Sequence, residues 1–170
     1  MYKQTILILS ILTFFLFPPA VFSQVIDSMY YGWVVYEYQG NPQDDSDKKC
    51  YIVATPHKTN TSYTAARNPY LSITRYAQSR TEEISIYSGY EYKISSEVNL
   101  LIGDKQKQLY TKDDIAWAKN DYEDKEIINL MLNSYYLKVR SDSSTGNYAI
   151  DEYEMKGLTR AYARMKELCR

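Results

Sequence analysis

The residue types that could carry chemistry are few: one histidine, His57, two cysteines, Cys50 and Cys169, and the tandem acids Asp44-Asp45, Glu82-Glu83 and Asp113-Asp114. A hydroxyl or thiol nucleophile needs an adjacent base, and that base needs a third group to orient it. His57 follows Pro56 in a polar stretch with no orienting carboxylate beside it in sequence, so it reads as a solvated loop residue. Two carboxylates cleave a glycosidic bond only when they face one another across it. Neighbouring residues on an extended strand point to opposite faces, which argues against Glu82 and Glu83 acting together. Asp44-Asp45 and Asp113-Asp114 lack the alternating oxygen spacing of a calcium loop and read as solvated charge. If the two cysteines pair with each other, one histidine supplies no zinc ligand set. The sequence thus calls for no cofactor and shows no coherent catalytic set.

Binding chemistry has more candidates. Trp117, between Ala116 and Ala118, is either a core plug beside a helix or an aromatic anchor for a peptide or glycan. Arg160, Arg164 and Lys166 form the polar side of a short C-terminal helix and could meet an anionic lipid, although a polybasic membrane signal takes a denser cluster. Trp117, Arg160, Arg164 and Lys166 are therefore the candidate binding surface. Nineteen tyrosines are spread along the chain without clustering. Tyrosine suits half-buried pleated surfaces and is also enriched at interfaces; the even spread favours packing as its role.

The elements that must position these groups are mostly short strands. Residues 30–39, 50–55, 69–78, 82–87, 97–102, 107–110, 135–141 and 148–155 read as strands from their alternation and their Val, Ile and Tyr content. Cys50, Ile52, Ala54, Leu71, Ile73, Ile84, Ile86, Val98, Leu100 and Ile102 are the expected inward positions. Leu101, on the other face, places its strand near the sheet centre. Residues 40–46 and 57–68 read as loops, the latter holding an Asn60-Thr-Ser62 sequon. Gly103-Asp104 reads as a tight reversal, and Ser143 to Gly146 as a hairpin turn. Residues 121–132 read as a helix with Asp121 as its cap. The last fourteen residues form a second helix, with Leu158, Ala161, Tyr162, Met165, Leu168 and Cys169 on one face. Regular short strands with two brief helices indicate an all-β sandwich.

Residues 1–23 read as a signal peptide: Lys3, an apolar run from Ile6 to Phe17, then Pro18-Pro19 and a cut after Ser23. The run is too short for a span that needs about 20 residues, so no transmembrane segment is expected in the mature chain, 24–170. The remaining length suits one domain. Twenty basic residues against 21 acidic ones give no support to a nucleic-acid partner. In an oxidising compartment a disulfide is the default for two cysteines, with two unpaired thiols the alternative. Their wide separation argues against a redox pair.

Taken in order, Trp33, Cys50-Tyr-Ile with Pro56, Arg67, Gly89-Tyr90 with Ser95-Ser96, Ala116-Trp117-Ala118, Ser143 to Gly146, Asp151-Glu-Tyr153, Gly157-Leu158 with Ala161, and Cys169 resemble the invasion-associated locus B (IalB) family of exported bacterial proteins. The resemblance spans nearly the whole mature chain. It implies an immunoglobulin-like β-sandwich with an internal and a C-terminal helix, located in the periplasm or at the outer surface, with Cys50 and Cys169 paired. It supplies no catalytic residue. The function expected is that of a non-enzymatic envelope protein binding another envelope or host-surface component, whether protein, glycan or lipid. A periplasmic hydrolase using unidentified carboxylates on a cell-wall or glycan substrate is the alternative.

Overall fold

The computed structural model describes residues 24–40 and 47–170. The signal peptide and its cut, and the Asp44-Asp45 pair, lie outside the described residues. Eleven strands among the described residues form one antiparallel sheet. In chain order they are β1 (Gln24–Tyr30), β2 (Trp33–Tyr38), β3 (Lys49–Ala54), β4 (Lys58–Thr61), β5 (Tyr70–Tyr76), β6 (Glu82–Tyr87), β7 (Glu97–Ile102), β8 (Lys105–Lys112), β9 (Ile115–Trp117), β10 (Tyr136–Asp142) and β11 (Tyr148–Glu154). Helix α1 (Asp121–Leu132) lies between β9 and β10, and α2 (Leu158–Leu168) ends the fold.

In space the strands run β1-β2-β3-β5-β6-β9-β8-β7-β10-β11-β4. Trp33 and Ile73, at one end of this order, share a single buried core with Leu137 and Tyr153 at the other, so the sheet folds back on itself into a two-layered sandwich. The indole Nε1 of Trp33 on β2 donates to the Glu154 carbonyl on β11 at 3.0 Å, a direct link between the layers. All ten inward positions expected from alternation are buried. A large apolar side chain buried in this way contributes roughly 1.5–3 kcal/mol.

Three local expectations are corrected. Residues 30–39 are not one strand: Tyr31 and Gly32, with φ of 51° and 91°, make a two-residue turn that pairs β2 with β1. Positive φ at both positions matches the twist of a tight hairpin. Residues 57–68 are not all loop, because β4 pairs with β11 at the sheet edge. The cap of α1 is Asn120 rather than Asp121; its Oδ1 accepts from the backbone N–H of Tyr122 at 3.1 Å and of Glu123 at 3.0 Å. Leu101 does lie on an interior strand, between β8 and β10, yet its own face is 39% exposed.

Both helices close gaps in the sandwich. Of β6, only Ser85 to Tyr87 pair with β9. Beyond it the Ile84 N–H donates instead to the buried Asp124 carboxylate of α1, at 2.7 Å. Burial pushes the Asp124 carboxyl up to about 6, against that hydrogen bond, and Glu83, Asp121 and Glu123 push the same way. Helix α2 buries Leu158, Ala161 and Met165, packs on β1, β2 and β3, and is joined to β3 by the Cys50–Cys169 disulfide, with Cα atoms 5.9 Å apart. Its start at Gly157 (φ 93°) admits no side chain, since a Cβ there would strike the Tyr30 carbonyl. A register shift at Asp27 in β1 marks a bulge, and Asp27 takes both Nε and Nη2 of Arg164, at 2.9 and 2.7 Å.

Candidate functional site

The outer side of the first layer, formed by β2, β3, β5 and β6, is a pleated surface that neither helix covers with its buried face. Strand register assembles it from residues distant in sequence. Tyr36 lies opposite Tyr51, Tyr38 opposite Lys49, Thr74 opposite Tyr51, Tyr70 opposite Tyr87, and Ser72 opposite Ser85. Tyr36 and Tyr51 stack with ring centroids 5.0 Å apart and planes 12° from parallel, and Tyr70 and Tyr87 lie 5.3 Å apart at a tilt. Between the rings lies a shallow depression of about 560 Å³ lined by Gln24, Lys49, Val53, Ser72, Thr74 and Ser85 as well as tyrosines. Burial raises the Tyr51 and Tyr70 hydroxyls above their ordinary range, with Tyr36 adding to the first and Asp114 to the second. These two hydroxyls therefore stay protonated at physiological pH, and the rings of the face present apolar sides with hydroxyls at their edges.

Trp117 borders this surface. On β9 it lies opposite Ser85 on one side and Tyr110 of β8 on the other, partly exposed, while its neighbour Ala116 faces the core. It is not a core plug; the fully buried tryptophan is Trp33. Five tyrosines spread along the sequence, Tyr36, Tyr38, Tyr51, Tyr70 and Tyr87, are gathered on this face. What could have found them is the alternation of β2, where solvent-side positions 34, 36 and 38 carry Val, Tyr and Tyr in place of charge.

The basic residues of α2 do not form one patch. About 100° per residue puts Lys166 nearly across the helix from Arg164. Arg164 is held by Asp27 and by Glu167, the latter at 3.3 Å, and its guanidinium keeps the Asp27 carboxyl below its ordinary range. Arg160 is exposed one turn before Arg164 on the same side of the helix, away from Lys166.

The acidic candidates are drawn apart. Glu82 is buried, accepting from Arg75 Nη1 at 2.7 Å and Tyr162 O–H at 2.6 Å, while Glu83 faces outward and accepts from Tyr76 O–H at 3.2 Å. Asp113-Asp114 form the turn between β8 and β9, with Asp113 at φ 56°. His57 does have a carboxylate, from β11: its Nε2 is 3.3 Å from Glu152 Oε1, and its ring lies against Tyr136. Neither a hydroxyl nor a thiol bonds to it among the described residues.

A polar network in the interior explains several family-like positions. Arg67, 6% exposed, forms a two-pronged ion pair with Asp151, donates from Nη1 to the Ser88 carbonyl at 2.7 Å, and meets Thr59. Its close approach forbids a side chain at Gly89. Nearby Tyr90 O–H bonds Ser141 Oγ at 2.7 Å, Ser141 donates to Ser88 at 2.9 Å, and Tyr92 O–H donates to the Ile86 carbonyl at 3.0 Å. These contacts hold the two layers together.

A further concavity, about 820 Å³ beside α1, has paired groups in its lining: Lys107 with Glu126 at 2.6 Å, Lys138 with Glu152 and Arg140 with Asp142. No helix among the described residues is long and apolar enough to cross a membrane.

No family model and no curated protein matches the sequence. In structure the chain is similar to invasion associated protein B from Bartonella henselae, with a TM-score of 0.58 over 83% of this chain and 96% of that one, at 13% identity. That likeness shows the fold, and it is the fold implied by the residues that resemble the IalB family.

Proposed function

We propose that this chain is an exported, non-enzymatic envelope protein of the IalB type that holds an envelope glycan on its tyrosine face, with Trp117 at the border of the site. The observation that carries the reading is the outer side of β2, β3, β5 and β6, which neither helix covers, where stacked and tilted tyrosines surround a depression with Thr74 beside it and the buried Ser72 and Ser85 at its floor. A pyranose ring is apolar on its faces and hydroxylated at its rim. Flat aromatic rings interleaved with small hydroxyls complement both parts, and tyrosine supplies contact area at low entropic cost. The disulfide supports residence in an oxidising compartment, the periplasm or the outer surface.

Co-sedimentation with insoluble peptidoglycan and retention in gels containing soluble polysaccharide test the proposal. The protein should be retained by at least one glycan, and Tyr36→Ser with Tyr51→Ser should release it while Lys138→Ser does not. Retention by no glycan, or retention unchanged in the tyrosine variant, would overturn it.

A further inference from the structure

Where the disulfide fastens α2 to β3, a separate cleft of about 440 Å³ is lined by Arg75, Arg80, Lys166, Glu167 and Arg170. Arg75 is held rigidly at its wall. Its Nε donates to the Cys169 carbonyl at 2.8 Å, and its Nη1 to Glu82 Oε1 at 2.7 Å and to the Arg80 carbonyl at 3.2 Å. Those bonds use the Nε proton and both Nη1 protons. The two Nη2 protons have no partner among the described residues, although the side chain is only 11% exposed.

The surrounding charges are unbalanced. Arg80, Lys166 and Arg170 form no ion pair among the described residues; Lys166 lies over the Tyr162 ring at 5.2 Å. The acids nearby are engaged elsewhere, Glu82 by Arg75 and Tyr162, and Glu167 by Arg164. The Cys169 carbonyl at the end of α2, which would repel an anion, is covered by Arg75 Nε. Gathered like charges repel unless an anion lies between them. A fixed guanidinium edge with exposed cations around it is suited to a phosphate, which accepts several charge-assisted hydrogen bonds at once.

We propose that this cleft binds a phosphate-type anion, Arg75 Nη2 orienting it and Arg80, Lys166 and Arg170 closing around it. The same chemistry is offered by a free phosphoanion and by a phosphomonoester lipid headgroup. Titration of the oxidised protein with inorganic pyrophosphate at low ionic strength, and flotation with phosphatidic acid vesicles against phosphatidylcholine vesicles, distinguish the two sources. Binding should weaken with added salt. Arg80→Gln with Lys166→Gln should weaken it about a hundredfold, roughly tenfold for each cation lost. Lys138→Gln, outside the cleft on β10, should leave it unchanged. Binding of pyrophosphate alone assigns a soluble anion, and binding of the acidic vesicles a headgroup. Binding of neither probe, or binding that survives Arg80→Gln with Lys166→Gln, would overturn the proposal.

Discussion

The outer sides of the two layers share one pleated backbone and differ in what stands on it. On β7, β10, β11 and β4 the outward positions include Glu97, Lys138, Arg140, Asp142, Glu152, Glu154 and Lys58, and several of these pair, as Lys138 does with Glu152 at 3.3 Å and Arg140 with Asp142 at 3.4 Å. On β2, β3, β5 and β6 the outward charges are Lys49 and Glu83, each resting against a tyrosine, Lys49 over the Tyr38 ring and Glu83 on the Tyr76 hydroxyl. A sheet face that meets only water is best kept charged, because apolar faces invite association. The layer of β7, β10, β11 and β4 largely obeys that rule, with Leu101 and Tyr136 as its exposed apolar members. The first layer departs from it over a whole face, and the departure is what a binding surface requires.

The comparison depends on both faces being held by the same scaffold, and the largest effects should come from breaking that scaffold. Cys169→Ser should lower stability by up to about 5 kcal/mol in the chain-entropy model, read as a denaturant midpoint shift under oxidising conditions. Unchanged melting would mean that α2 holds without its fastener. Arg67→Ala should cost about 3–5 kcal/mol, since it leaves the Asp151 carboxylate buried without its partner. Near-wild-type stability would show that the inner network is not what joins the layers.

A smaller effect concerns pH. Asp124 has a carboxyl raised above its unfolded value, so the folded chain keeps a proton that the unfolded chain has lost. Stability should therefore fall as pH rises from about 4 to 6 and then level off. Asp124→Asn keeps an oxygen for the Ile84 N–H without the charge, and should flatten that slope and add about 2 kcal/mol at pH 7. A slope that persists in the variant would place the titrating group elsewhere. Asn120→Ala should cost about 1 kcal/mol through the lost cap of α1, detectable by thermal melting, and should leave both outer faces as they are.

Much of the fold was legible because it is written locally. Cys50, Ile52 and Ala54 alternate inward, β6 and β7 keep the limits their patterns suggest, and α1 follows its acidic first turn. β4 was illegible because Lys-Thr-Asn-Thr has no apolar alternation; it is a strand only because β11 offers it an edge. The hairpin at Tyr31-Gly32 was hidden by a tyrosine in a left-handed position that Asn or Asp would usually mark. The site was hidden for a related reason. Stacking Tyr36 on Tyr51 depends on the register between two strands, and Arg67 finds Asp151 84 residues away, so neither can be read from neighbours in sequence. Trp117 was singled out from its own stretch, but its place beside the tyrosines depends on β9 pairing with both β6 and β8.

Hydroxyl-radical footprinting tests the asymmetry between the faces most directly, because tyrosine and tryptophan both react readily. The protein would be labelled alone and with a saturating amount of the glycan that retains it. Protection should fall on Tyr36, Tyr51, Tyr70 and Trp117, while Tyr136 and Tyr148 on the opposite outer side keep their reactivity. Equal protection of both sides, or protection confined to Tyr136 and Tyr148, would contradict the account.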